Sequence, residues 1–148
     1  MRERLRWGTG VLVALAAASA GAQGGSLPAD SLERARSWGR WFEEGTSDSL
    51  FSAAVPGMRG VFASRESLAA AQQEFAAQAG RVFGTTEERF VWRGGNRQYW
   101  RTVNTERAPE PLVIRFVMRP DGRLSGLGIS LASQVPPVDS GGPVIVKP

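Results

Sequence analysis

The chain has 148 residues, with 18 basic and 14 acidic side chains and neither histidine nor cysteine. Disulfide bonds, thiolate nucleophiles, and imidazole-based catalysis or metal binding by this chain are therefore excluded. A formal net charge of +4 without clustered basic residues does not indicate a nucleic-acid-binding protein, so no nucleic-acid partner is expected.

The first 22 residues have the pattern of a secretory signal peptide. Three arginines precede an apolar run from Val11 to Ala18, and small residues follow up to Ala22. The run is too short for a membrane-spanning helix, which needs about 20 apolar residues. We therefore expect cleavage after Ala20 or Ala22, a secreted or periplasmic location and no stable membrane anchor. Removal of the segment, with its three arginines and one glutamate, lowers the formal net charge from +4 to +2.

Helical patterns follow a short linker over residues 23–28. Asp30 and Glu33 resemble a capping box, and apolar residues then recur at three- and four-residue spacing until Gly45. A second short helix is predicted from 47 to 55, because Pro56 and Gly57 follow it directly.

A third helix is predicted after Ser64, which has the character of an N-cap, and it ends before Gly80. Its apolar stripe includes one polar residue, Gln72. The three helices together account for the first half of the mature chain.

The second half of the chain has strand patterns. Segments rich in Val, Ile, Phe, Trp and Thr alternate with Gly- and Pro-containing turns. The segments lie near residues 82–93, 97–106, 111–119 and 123–132. Helices followed by hairpin-linked strands predict an α+β domain over residues 29–132, in which N-terminal helices pack on a curved four-stranded antiparallel sheet. Residues 133–148, rich in Pro and Gly, are predicted to form an extended tail.

The register of the last hairpin has two alternatives. A two-residue Asp121-Gly122 turn pairs Phe116 with Leu127 and puts the large apolar residues of both strands on one face. Pro120-Asp121-Gly122 also suits a three-residue loop with a left-handed glycine, which shifts the pairing by one residue and makes both faces apolar. We favour the first register; the second would favour a homo-oligomer formed through the outer sheet face.

The register of the first hairpin is open in the same way. A two-residue loop puts Phe90 and Trp92 on one face with Tyr99 and Arg101, whereas a three-residue loop puts them with Trp100.

Several segments resemble those of a known family. The resemblance rests on Ala35 to Trp38 and Phe42 to Gly45 in the first helix, Pro56 to Met58 after the second, Arg97 to Tyr99, Val113 to Val117, and Asp121 to Leu127. With its helices followed by a four-stranded meander, the chain resembles the cone-shaped nuclear-transport-factor-like (SnoaL-like) superfamily. More narrowly, it resembles a bacterial domain of unknown function found in secreted proteins, often ahead of α/β-hydrolase or β-lactamase-type domains. The resemblance implies a cone-like fold and supplies no catalytic motif.

The run Asp139 to Pro143 is similar to the nucleophile loop of serine proteases. A serine nucleophile needs a base in hydrogen-bond reach, and the chain has no imidazole. Lys147 lies in the predicted tail, which would not hold it in a productive geometry. We interpret the run as coincidental and assign no catalytic residue to it.

Metal and cofactor sites are not expected. Only carboxylates could bind a metal ion, and the adjacent acidic pairs are Glu43-Glu44 and Glu87-Glu88. Adjacent side chains point in different directions on a helix and to opposite faces on a strand, so neither pair forms a local clamp.

An isomerase-type enzyme is the alternative to a binding protein, because the resemblance extends to isomerases that use a buried carboxylate with a tyrosine. Tyr99 is the only tyrosine, and Asp48, Glu88 and Glu106 are the conceivable bases. Nothing in their spacing unites them.

The aromatic residues give the remaining signal. They are first of all core residues, and their functional interpretation is a cavity for an apolar or cyclic ligand. The candidate cavity-lining residues are Trp38, Phe42, Trp92, Tyr99 and Trp100. The sequence thus favours an exported, non-catalytic binding or accessory domain with a small apolar ligand or a protein partner. A carboxylate-based isomerase or cyclase and a structural homodimer are the alternatives.

Overall fold

The computed structural model describes residues 30–62, 64–139 and 144–146. The predicted signal peptide and linker, and Ser140 to Pro143 of the protease-like run, lie outside the described residues. Within the described ranges, no helix is long and apolar enough to cross a membrane.

In the described part of the chain, four α-helices precede the strands. The helices are α1 (Ser31–Glu44), α2 (Ser47–Ala53), α3 (Pro56–Phe62) and α4 (Arg65–Ala79). The strands are β1 (Val82–Arg93), β2 (Asn96–Thr105), β3 (Leu112–Met118), β4 (Leu124–Leu131) and β5 (Val144–Val146), with a 3₁₀ helix at Ala132–Gln134. The order across the sheet is β4-β3-β2-β1-β5, and neighbouring strands are antiparallel. The predicted α+β class, with helices before a four-stranded antiparallel meander, is confirmed.

The start of α1 differs from the predicted capping box. Asp30 occupies the N-cap position, but its side chain makes no capping hydrogen bond and instead accepts one from Arg34. The end of α1 agrees with the sequence, since Gly45 takes a left-handed conformation with φ of 75°.

The region between α2 and α4 contains a helix that the sequence did not predict. Pro56 and Gly57 were interpreted as the end of the second helix, yet Pro56 begins α3. Proline is well tolerated in the first helical turn, because its missing N–H has no intrahelical acceptor there. The predicted N-cap of α4 is confirmed: the Ser64 hydroxyl accepts a hydrogen bond of 3.1 Å from the amide of Ser67.

The first hairpin has the two-residue loop. Arg93 lies opposite Asn96, and the two residues between them, Gly94 and Gly95, have φ of 58° and 74°. Positive φ at both positions matches the twist of the flanking strands. Phe90 and Trp92 therefore share a face with Tyr99, as one of the two alternatives stated.

The last hairpin combines features of both predicted registers. Its turn is the three-residue loop: the Arg119 amide donates to the Arg123 carbonyl at 2.9 Å, and Gly122 is left-handed with φ of 81°. A β-bulge follows at Ser125, because Met118 lies opposite Leu124 while the preceding residue on β3 lies opposite Gly126.

The bulge restores the favoured pairing. Beyond it Phe116 lies opposite Leu127 and Ile114 opposite Ile129. The extra residue thus cancels the one-residue shift that the turn introduces, and the apolar side chains of β3 and β4 stay together on the inner face.

The main core lies between the helices and this inner face. Trp38 and Phe42 of α1 pack against Phe116, and their ring centroids lie 6.2 and 6.5 Å, respectively, from that of Phe116. The centroid of the Tyr99 ring lies 6.1 Å from the same Phe116 centroid. All four side chains are buried. The rings that the sequence placed on separate elements therefore meet in one interior.

A second cluster lies on the outer face of the sheet. Val91, Trp100 and Val113 are buried there, with Ala132 and Val135 packed against them. The covering segment, residues 132–139, is called the strap below.

The strap is tied to the first hairpin at its far end. The Asp139 amide donates to the Trp92 carbonyl at 2.7 Å, and the Asp139 carboxylate accepts from the amides of Gly94 and Gly95, each at 3.3 Å. The segment predicted as an extended tail thus crosses the sheet, and β5 then pairs with β1.

Candidate functional site

Five polar side chains form a largely buried charge cluster between α1 and the sheet, in which Arg36 is the most exposed member. They are Arg36 and Glu43 of α1, Glu88 of β1, and Tyr99 and Arg101 of β2. Glu88 lies opposite Arg101 in the hairpin, and Tyr99 is opposite Phe90, the next inward-facing residue of β1. The two-residue turn sets this register and so brings the candidate tyrosine to a candidate carboxylate.

Glu88 is the centre of the cluster, with a side chain only 2 % exposed. Arg36 donates to its carboxylate from Nε at 3.0 Å and from Nη2 at 2.7 Å, and the Tyr99 hydroxyl donates to Oε1. Arg101 Nη1 lies 3.6 Å from the same Oε1, and Arg101 Nε donates to Glu43 at 2.8 Å. Two guanidinium groups thus balance two carboxylates.

The electrostatics keep Glu88 charged and Tyr99 neutral. Burial alone would raise the pKa of Glu88, but the hydrogen bonds from Arg36 and Tyr99 and the nearby positive charges outweigh it and lower that pKa. Burial and the hydrogen bond to Glu88 raise the pKa of Tyr99. A general base works best with a pKa near the working pH and a free lone pair facing substrate. Glu88 instead has a lowered pKa and a carboxylate that already accepts hydrogen bonds from Arg36 and Tyr99.

The other two candidate bases lie away from this cluster. Asp48, in the first turn of α2, lies 3.7 Å from Arg65, and both side chains are exposed. Glu106 follows β2 and pairs with Arg81 at 3.3 Å. Of the three carboxylates considered with Tyr99, the structure brings one to it.

A groove opens beside the cluster, between the end of α1, α4 and the base of the β1–β2 hairpin. Its volume is about 600 Å³. The apolar lining comes from Phe42, Ala69, Phe75, Ala76 and Val82, and the polar lining includes Glu43, Gln72, Arg81, Glu106 and Arg107. Glu43 belongs to both features, and burial raises its pKa against the opposing charge of Arg101. The groove therefore has an apolar body with hydrogen-bonding groups around it.

Gln72 is the residue of the groove that says most about a possible ligand. It is buried, with only 4 % of its surface exposed. Its Nε2 donates to the carbonyls of Trp41 and Phe42, each at 3.1 Å, at the end of α1. Its Oε1 is buried and has no hydrogen-bond partner in the described part of the chain. Gln72 is not among the residues predicted to bind a ligand, although a glutamine on an apolar helical stripe is a signal that could have identified it.

The five aromatic candidates are divided between different environments. Trp38, Phe42 and Tyr99 lie in the main core, and Phe42 also lines the groove. Trp92 is half-buried, with the Arg97 guanidinium 5.2 Å from its ring. Trp100 lies on the outer face under the strap, so the sheet separates it from Tyr99.

Across residues 30–62, 64–139 and 144–146, no group of three or more acidic side chains could hold a metal ion.

No family model matches the chain, and no curated protein or solved structure matches it either.

Proposed function

We propose that this protein is an exported, non-catalytic binding domain of the cone-like type. Its ligand is a small molecule with an apolar body and a hydrogen-bond donor, held in the groove between α1, α4 and the β1–β2 hairpin. One observation carries the proposal: an apolar groove of about 600 Å³ is lined by Gln72, whose Oε1 is buried and has no partner in the described chain. A buried acceptor without a partner costs free energy, which a donor group on a ligand would recover.

The arrangement around Glu88 supports binding over isomerase chemistry. An isomerase of the expected kind needs a carboxylate that exchanges protons with substrate near neutral pH. The Glu88 carboxylate already accepts hydrogen bonds from Arg36 and Tyr99, and its pKa is lowered. Its function in this proposal is to fix α1 on the sheet and thereby hold one wall of the groove.

The outer sheet face gives less support to the homodimer alternative. A dimer formed through this face needs exposed apolar surface. Val91, Trp100 and Val113 are buried under the strap, and the bulge at Ser125 keeps the large apolar residues of β4 on the inner face.

Two variants of α4 test the groove. Ala76 lines it, whereas the neighbouring Ala77 is exposed and is not among its lining residues. Ala76→Trp should fill the groove and weaken saturable binding of anilinonaphthalene sulfonate by about tenfold or more, because a bulky ring takes up the apolar volume. Ala77→Trp adds the same ring outside the groove and should bind like the wild type.

Native mass spectrometry of the exported wild-type protein should detect a co-purified small molecule that Ala76→Trp loses. Equal dye binding by both variants, together with a ligand-free wild type, would refute the proposal. The export step has its own readout: the mature chain should begin at Gly21 or Gln23 on N-terminal sequencing.

A further inference from the structure

Arg115 is a buried cation on the outer face of the sheet. It lies in the middle of β3, opposite Trp100 on β2 and Gly128 on β4, and is only 7 % exposed. An arginine so deeply buried is normally paired with a carboxylate or phosphate.

In the described part of the chain, Arg115 has no such partner. A guanidinium group has five N–H donors, and within the described chain none of those of Arg115 makes a hydrogen bond; its Nε is fully buried. The charged neighbour that acts on it is another cation, Arg93, and burial together with that positive charge lowers the pKa of Arg115. Among the described residues, the surroundings of Arg115 therefore lack a compensating negative charge.

The sheet leaves a defined space for this guanidinium. A Cβ atom on Gly128 would lie 2.7 Å from Arg115 Nη2, so the group occupies the place of a side chain at that position. The Trp100 ring lies on the other side, with its centroid 5.9 Å from Arg115 Cζ. The guanidinium is thus held between an indole ring and a glycine backbone.

Ser130 adds a second unpartnered group at the same place. It lies two residues beyond Gly128 on β4, so its side chain is directed to the same face. Its Oγ is buried and has no hydrogen-bond partner in the part of the chain that the structure describes. A cation and a hydroxyl, each with a buried polar atom that lacks a partner in the described chain, therefore lie on one face of the sheet at neighbouring positions.

Arg89 shows what an ordinary arginine on this face looks like. Its guanidinium also lies over Trp100, at 4.8 Å, but it is partly exposed and pairs with Glu87 at 3.4 Å. Arg115 shares the aromatic neighbour, is much less exposed and has no carboxylate partner in the described chain.

We propose that Arg115 and Ser130 bind a small oxyanion, a phosphate or a carboxylate, between the sheet and the strap. The guanidinium fork donates to two oxygens of the anion, and the Ser130 hydroxyl donates to one of these in a carboxylate or to a third oxygen in a phosphate. The anion supplies the missing negative charge and accepts hydrogen bonds from donors that are otherwise buried without partners. The site is on the opposite face of the sheet from the groove and is independent of the proposed function.

The strap limits the size of the ligand. Val135 packs on the cluster beneath it, and the Pro137 carbonyl accepts a hydrogen bond of 3.1 Å from Arg93. A polymer or a bulky cofactor would have to displace these contacts, so the proposed ligand is an inorganic ion or a short carboxylic acid.

Isothermal titration calorimetry of the full mature chain tests the site with sodium phosphate and, separately, sodium acetate, each balanced with sodium chloride to constant ionic strength. At least one of the two should bind saturably and raise the melting temperature. Arg115→Gln should weaken that binding by about tenfold or more, since it removes a charge-assisted pair. Ser130→Ala should weaken it by about threefold to tenfold, and the control Arg89→Gln should leave it within about threefold.

The two ions distinguish the sources of the oxyanion: phosphate alone indicates a tetrahedral ligand, acetate alone a carboxylate, and both a general oxyanion site. The proposal is overturned if neither ion binds the wild type saturably, or if the wild type and a folded Arg115→Gln variant bind equally. Circular dichroism checks the fold of each variant, and the wild-type titration decides the proposal even if Arg115→Gln does not fold.

Discussion

Tyr99 donates a hydrogen bond to Glu88 diagonally across the β1–β2 hairpin, inside the interface between α1 and the sheet. The same carboxylate accepts two bonds from Arg36 of α1. A single buried acid therefore links the first helix to the first hairpin, and most of the expected stability effects in this region depend on it.

Glu88→Gln should lower the free energy of unfolding by about 3 kcal/mol near neutral pH, because it leaves buried positive charge without its partner. The pKa of Glu88 is below its ordinary value of 4.5 in the folded state, so its contribution is present above that value and is lost as the pH falls through the folded pKa. The difference between wild type and variant should therefore shrink in acid. Urea unfolding at neutral and acidic pH measures it.

Glu87→Gln is the matched control for this variant. Glu87 is the adjacent residue, is 44 % exposed and pairs with Arg89 on the outer side. A surface pair of this kind is worth about 0 to 1 kcal/mol, so the control should unfold much like the wild type. A similar loss in both variants would contradict a special role for Glu88.

Tyr99 should not ionise in the folded protein at the pH where tyrosine ordinarily does, near 10.0, since burial and Glu88 raise its pKa. It is the only tyrosine, so the ultraviolet absorbance of phenolate reports on it alone. We expect the absorbance to rise only when the chain unfolds at high pH, in step with the loss of circular dichroism. Phenolate formation near pH 10 in a folded chain would count against the buried hydrogen bond.

Deletion of Ser125 should be tolerated. The residue is the extra one in the bulge, so without it the three-residue turn leads directly into the pairing of Phe116 with Leu127. We expect a change of about 1 kcal/mol in stability and unchanged near-ultraviolet circular dichroism. Deletion of Gly128, three residues further on, should instead turn Ile129 and Leu131 to the outer face and abolish cooperative unfolding. The interpretation of the bulge is wrong if the two deletions behave alike.

Asp139→Ala should release the strap from the first hairpin. The Asp139 carboxylate accepts from the amides of Gly94 and Gly95, and the loss of these bonds should cost about 1 kcal/mol. Hydrogen exchange at Gly94 and Gly95 should become faster. Asp121→Ala removes a comparable bond in the other hairpin turn, to the Arg123 amide, and serves as the control. Unchanged hydrogen exchange at both glycines in Asp139→Ala would contradict the attachment of the strap through Asp139.

Much of the fold can be predicted from the sequence. The sequence predicts the four strand segments to within one residue at every boundary, because β-branched and aromatic runs end at Gly- and Pro-containing turns. Gly45 and Ser64 marked helix ends for equally local reasons. The capping box and the helix at Pro56 were misjudged, since Asp30 prefers Arg34 and proline can begin a helix as well as end one.

The candidate sites were less predictable. Tyr99 and Glu88 were both noted, but their contact depends on a loop of two residues, and Arg36 reaches them from 52 residues away in the chain. The environment of Arg115 gives no local signal in the sequence. It depends on Trp100 of one neighbouring strand, on Gly128 of the other, and on the strap that covers this face of the sheet.

Local chemistry by itself determined where the strands and most of the helices begin and end, since propensity, capping and turn preferences act within a few residues. Tertiary structure alone decided which charges are buried together, which are buried without partners, and which aromatic rings lie on each side of the sheet. Register, a bulge of one residue and a covering segment set those distances, and each acts between parts of the chain that are far apart in sequence.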